Sequence, residues 1–189
     1  MSRVIFYTAT TLNGFLADDD DSLDWLFAAP GGEGGDEDFQ EFLSGIGVLV
    51  QGSSTYRWVV EHEDLVAHPE RWPGYYGDRP TWVFSTREQP RVPGVDIRFA
   101  SGDVRDAWPE IEQAAGDRDV WVVGGGDLAG QFADAGLLDE IRVSIAPAAL
   151  PSGKPLLPRR LGPDRLELTG VRRAGAFAEL SYAVRAGRQ

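Results

Sequence analysis

DVWVVGGGDLAGQF, residues 119–132, is the stretch whose reading decides the fold. Val120–Val123 is wholly apolar, and a short apolar run bounded by turn residues reads as a strand buried on both faces. Gly124, Gly125 and Gly126 break that run. Helical spacing then resumes over Asp127–Ala135. Strand, glycine turn, helix is part of a βαβ unit and predicts a parallel sheet. The order also gives the glycines work to do. A helix start carries unpaired N–H groups and a partial positive charge, which favour phosphate. Residues without a Cβ let that phosphate reach the backbone. In open α/β sheets the ligand lies at the carboxyl ends of the strands. Val123, Gly124, Gly125, Gly126, Asp127 and Leu128 are therefore the first candidates for a nucleotide site. The spacing is not Gly-x-Gly-x-x-Gly, since the next glycine is Gly130. Asp127 repels phosphate, so the backbone must do the binding.

Two further segments follow the same logic. Val48–Val50 reads as a strand, followed by Gly52, Ser53, Ser54 and Thr55 at the start of a helix over Ser53–Val60. Thr81–Ser85 reads as a strand ending in Ser85, Thr86 and Arg87. The hydroxyls and first-turn N–H groups of Gly52–Thr55 suit a second phosphate, or simple N-capping. Arg87 suits a ribose 2′-phosphate, which points to NADPH, or a solvated turn. All three segments follow strands, so a parallel sheet brings them to one edge.

The rest of the chain supports that sheet. Val4–Ala9 and Phe15–Ala17 read as strands around an Asn13-Gly14 turn, and Asp18–Asp21 as a solvated tip. Ser22–Ala29 is a short amphipathic segment, and Asp36–Ser44 a helix with Asp36 as its cap. The segment 62–78 shows no period and predicts a surface loop whose Trp72, Tyr75 and Tyr76 cover a pocket or a dimer contact. Val95–Phe99 and Leu138–Ala146 read as strands. A helix over Val104–Ala115 places Val104, Trp108, Ile111 and Ala115 on one face. Leu166–Arg173 and Ala176–Val184 alternate around Gly175, the pattern of an antiparallel hairpin. No repeat or linker divides residues 1–189, so a single domain is expected.

Composition narrows the function. The net charge of −12 argues against nucleic acid as a partner, and it leaves an anionic cofactor dependent on local donors. The chain has no cysteine, and His62 and His68 with carboxylates make a poor zinc set, so no metal is expected. No apolar run approaches the ~20 residues that span a bilayer, and the N-terminus lacks a signal-peptide pattern, so a cytoplasmic protein without membrane contact is expected.

In order, Ala9-Thr-Thr-Leu-Asn-Gly-Phe-Leu-Ala17, Asp24-Trp25-Leu26, Gly52-Ser-Ser-Thr-Tyr56, Phe84-Ser-Thr86, Val123-Gly-Gly-Gly126, Leu137–Pro147 and Gly153-Lys-Pro-Leu156 resemble the dihydrofolate reductase superfamily. The most similar branch is the reductase domain of the riboflavin-biosynthesis deaminase/reductase and its stand-alone relatives. The resemblance implies a three-layer α/β sandwich, with a mostly parallel, doubly wound sheet closed by an antiparallel C-terminal hairpin. It implies NADPH as hydride donor, a small heterocyclic substrate such as 5-amino-6-(5-phosphoribosylamino)uracil, and a homodimer. The Ala9–Leu16 segment would line the nicotinamide, with Ala9 and Leu16 at the cofactor and Asn13 beside the substrate. Trp25 would stack on a flat heterocycle or pack in the core. Asp24 and Asp36 are the candidate proton donors. Two features depart from the pattern. Leu26-Phe-Ala-Ala-Pro30 lacks the acid that dihydrofolate reductases place beyond the Trp, which disfavours dihydrofolate as substrate. Ser53 and Ser54 stand where a basic residue is usual. A nucleotide-binding dimeric module without catalysis is the alternative from another class.

Overall fold

A computed structural model describes residues 2–30 and 37–186. The chain enters through β1 (Val4–Thr10), β2 (Phe15–Ala17), α1 (Asp24–Phe27) and α2 (Glu37–Ser44). It continues with β3 (Ile46–Gly52), α3 (Ser53–His62), a 3₁₀ turn at Pro69–Arg71 and α4 (Trp72–Tyr76). Then come β4 (Thr81–Phe84), β5 (Ile97–Ala100), α5 (Val104–Ala115), β6 (Asp119–Gly124) and α6 (Gly126–Asp134). It closes with β7 (Glu140–Ile145), β8 (Lys154–Pro155), β9 (Leu166–Ala174) and β10 (Phe177–Val184).

One eight-stranded sheet runs β5-β4-β3-β6-β1-β7-β10-β9. From β5 to β7 every neighbouring pair is parallel. β10 lies antiparallel to both β7 and β9. This is the doubly wound sheet with a closing hairpin that the alternation of strands and helices predicts. β6 sits at its centre and is buried on both faces. Val120 and Val122 join Val104, Ile111, Phe132 and Ala133 of α5 and α6 on one face. Trp121 joins Leu43, Tyr56, Val60, Trp72 and Tyr76 of α2, α3 and α4 on the other. α5 spans the predicted residues. Val104, Ile111 and Ala115 are buried, and Trp108 lies edge-on to Phe132 at 6.4 Å. Among the described residues no helix is long and apolar enough to cross a membrane.

Two expectations need correction. The segment 62–78 runs over the surface as expected, but it carries a 3₁₀ turn and α4, and Trp72 and Tyr76, 1% and 8% exposed, pack in the core while Tyr75 stays outside. α4 is too short to show a helical period, so its apolar face was invisible to pattern reading. The two-residue strand β8 was not expected, and it pairs with β2 to form a second, small sheet. The predicted cap Asp36 lies outside the described residues.

Burial makes Tyr56 a reporter of alkaline stability. Its hydroxyl donates to the Pro90 carbonyl at 2.6 Å. Burial pushes the phenol up to about 12, against a weaker opposing pull from Arg91. A raised pKa favours the neutral form in the folded state. The stabilisation is therefore intact below the unfolded value near pH 10 and is lost as pH rises toward 12. Urea unfolding is expected to show a loss of about 1.4 kcal/mol between about pH 9 and about pH 11 from this group. A flat profile over that range would contradict the burial of a neutral Tyr56.

Candidate functional site

The parallel order brings the ends of β3, β4 and β6 to one edge of the sheet, with β1 beside them. The glycine turn and the Gly52 turn touch there. A Cβ on Gly52 would lie 3.3 Å from the Gly125 nitrogen, and one on Gly124 would lie 3.0 Å from Thr55 Oγ1. Glycine is needed at 124 so that Thr55 can approach. The Gly124–Gly125 peptide bond is cis. α3 starts at Gly52 and α6 at Gly125, and neither start has a side-chain cap. Two helix N-termini thus lie side by side at this edge, each presenting backbone donors and partial positive charge. Gly125 leaves the space above it open: a Cβ there would meet only Thr55 Oγ1, at 3.9 Å.

Arg159 offsets part of the charge of Asp127 at this place. Its carboxylate accepts from Gln131 Nε2 at 2.9 Å and pairs with Arg159 at 3.0 Å. The Gln131 bond and the Arg159 guanidinium hold it below the ordinary carboxylate range. Arg159 also reaches Asp134 at 2.7 Å and lies across Gly130. The strap of residues 155–159, which carries Arg159, presses on the first residue of α6. A Cβ on Gly126 would lie 2.5 Å from the Pro155 carbonyl oxygen and nearer still to that of Leu156. Leu128 is buried beneath the turn, and Val123 is half-buried beside it.

At the end of β4, Ser85 Oγ donates to the Arg87 carbonyl at 2.7 Å and accepts from the Arg87 N–H at 3.0 Å and from Gln89 Nε2 at 2.9 Å. Thr86 and Arg87 are exposed. Ser53 and Thr55 are half-buried and Ser54 is exposed. Arg57, one turn further along α3, reaches this group through Gln89. Neither residue was among the sequence-level candidates.

Ala9 and Leu16 flank the β1–β2 loop and are half-buried. Asn13 lies at the loop tip. Its Nδ2 donates to the Leu150 carbonyl at 2.6 Å, and its Oδ1 accepts from the Leu150 N–H at 3.2 Å and from Thr11 Oγ1 at 2.9 Å. This amide joins the loop to the segment that leads into the strap. Asp24 is exposed in the first turn of α1. Trp25 is half-buried against Ala29, Ala146 and Phe177. The candidate Asp36 falls outside the described residues. Phe27 crosses to α3 and stacks on Trp58 and His62 at 5.9 and 5.4 Å, so an aromatic pile joins α1 to α3. The i, i+4 spacing of Trp58 and His62 was the available signal for that pile.

A separate concavity of about 510 Å³ lies between α2 and the β9–β10 hairpin. Its arginines are engaged in ion pairs: Arg3 with Asp119 and Glu140, Arg142 with Glu140, and Arg172 with Glu179. None of the sequence-level site residues lines it.

Residues 75–177, more than half of the chain, match the family described as the RibD C-terminal domain. The chain belongs to that family. The uncharacterized protein YwjB of Bacillus subtilis (strain 168) is 28% identical over 181 residues, covering 95% of this chain and 97% of its own. Among solved structures, a putative riboflavin biosynthesis protein from Shewanella sp. PV-4 superposes with a TM-score of 0.76 at 22% identity, covering 97% of this chain and 99% of that one. A dihydrofolate reductase from Enterococcus faecalis, solved with NADP(H), superposes with a TM-score of 0.63 at 12% identity over 98% of this chain and 97% of that one. The fold of this RibD-family chain is therefore dihydrofolate-reductase-like.

Proposed function

We propose that the chain is an NADPH-dependent reductase of a small heterocycle, acting on a substrate of the 5-amino-6-(5-phosphoribosylamino)uracil kind. The observation that carries this reading is the close approach of two uncapped helix starts, those of α3 and α6, at the carboxyl edge of the sheet. In a chain of net charge −12, an anionic dinucleotide needs such local donors. The open space over Gly125 admits a pyrophosphate there, and Arg159 offsets part of the Asp127 charge. The backbone of Gly125–Leu128 and the start of α3 would hold the phosphates. Ser85 and Thr86 would hold the adenosine end, and Ala9 and Leu16 would flank the nicotinamide.

When bound, the cofactor supplies the hydride, and the protein has to orient the reactants and exclude water. The Asn13 tie to Leu150 keeps the β1–β2 loop against the strap. The Phe27–Trp58–His62 pile closes the gap between α1 and α3. Leu26, Phe27, Ala28, Ala29 and Pro30 supply no acid for a pterin, so the pyrimidine is preferred over dihydrofolate. The test is NADPH oxidation followed by absorbance with each substrate in turn. Oxidation is expected with 5-amino-6-(5-phosphoribosylamino)uracil and not with dihydrofolate. No oxidation with either, at protein concentrations that bind the cofactor, would favour a nucleotide-binding module without catalysis.

A further inference from the structure

We infer that Arg57 is the residue by which this chain tells NADPH from NADH, through the ribose 2′-phosphate; the inference rests on the cofactor reading above. The two nucleotides differ only by that phosphate. Choosing between them requires a cation that is held in place and not already neutralised. Arg57, Arg87 and Arg91 gather at the end of β4. Arg91 is already engaged, with its guanidinium over the Phe99 ring at 5.0 Å. Arg87 is exposed, and among the described residues only its backbone is tied, to Ser85.

Arg57 is different. It is half-buried on α3, and its Nη2 donates to Gln89 Oε1 at 3.4 Å. Gln89 is 7% exposed, and its Nε2 donates to Ser85 Oγ at 2.9 Å. The chain Arg57–Gln89–Ser85 thus ties α3 to the end of β4, two of the three elements expected to hold the cofactor. The tether is a neutral amide. A carboxylate in its place would cancel the guanidinium charge, whereas Gln89 orients the group and leaves its charge whole. Among the described residues Arg57 makes no ion pair. Ser53 and Ser54 carry no charge, and Arg57 lies one turn beyond Ser53 on the same face of α3. The positive charge for a phosphate is therefore present, displaced by one turn.

The experiment is nicotinamide-fluorescence titration of NADPH and of NADH on wild-type protein, Arg57→Gln, Arg57→Lys and Arg87→Gln. Wild type is expected to prefer NADPH. Arg57→Gln is expected to weaken NADPH by about tenfold or more and to leave NADH within about twofold. Arg57→Lys keeps the charge but not the planar fork, and should fall between. Arg87→Gln should cost less than about threefold, as for an exposed charge. An unchanged NADPH-to-NADH ratio in Arg57→Gln, or the larger loss in Arg87→Gln, would overturn the assignment. If Arg57→Gln does not fold, Arg57→Lys decides, and an unchanged ratio there overturns it. Wild type binding both nucleotides equally sinks the role of Arg57 alone. Wild type binding neither sinks the cofactor reading with it.

Discussion

Replacing Gly126 with alanine is expected to lower the melting temperature by about 6–12 °C, corresponding to about 3 kcal/mol in a domain of this size. The cause is the strap. The Pro155 carbonyl oxygen lies 2.5 Å from where the new Cβ would sit, and the Leu156 oxygen lies nearer. These are backbone atoms, so no side chain can swing away to make room. Leu156 is further fixed by its N–H, which donates to the Gly14 carbonyl at 2.9 Å. The alanine must push apart α6 and the strap, or the strap and the β1–β2 loop. Gly74 on α4 is the control, because a Cβ there meets nothing within 4 Å. A melt of Gly126→Ala within about 2 °C of wild type would mean that the strap does not bear on α6 as described.

The neighbouring substitution should act in the opposite way. Gly125→Ala is expected to fold and to weaken NADPH by about a hundredfold. Gly125 has φ −89° and ψ −176°, a backbone open to any L-residue. Its Cβ would touch only Thr55 Oγ1, at 3.9 Å. The methyl group therefore occupies the space over the two helix starts, where a pyrophosphate must come close to the backbone. Circular dichroism separates this from unfolding. NADPH affinity equal to wild type in a folded Gly125→Ala would place the phosphates elsewhere.

The parts of the fold that rest on short-range pattern were legible. β6, α5 and the closing hairpin are each specified by their own apolar period, and the strand–glycine–helix order at 119–132 implies a parallel sheet. The order of the strands has no local signature, and neither does β8, a two-residue strand defined only by its distant partner β2. Trp72 and Tyr76 were misplaced because a five-residue helix carries no period, although its aromatic content was visible. The site divides in the same way. Gly52, Ser85 and Gly124–Gly126 could be read from strand ends and turns. The Thr55–Gly124 approach, the Arg159–Asp127 pair and the Arg57–Gln89 tether join residues far apart in sequence, and only the folded sheet brings them together. Asp127 shows the consequence: read alone it repels phosphate, and Arg159, shared with Asp134, offsets part of that repulsion.

The claim beneath all of these is that the carboxyl edge of the sheet is a nucleotide site. Titration of wild-type protein with NADPH, followed by nicotinamide fluorescence, tests it most directly. The glycine turn and the two uncapped helix starts predict a saturable rise in the micromolar range, abolished or shifted in Gly125→Ala. A signal that grows linearly with nucleotide through the millimolar range, the same in both proteins, would contradict it.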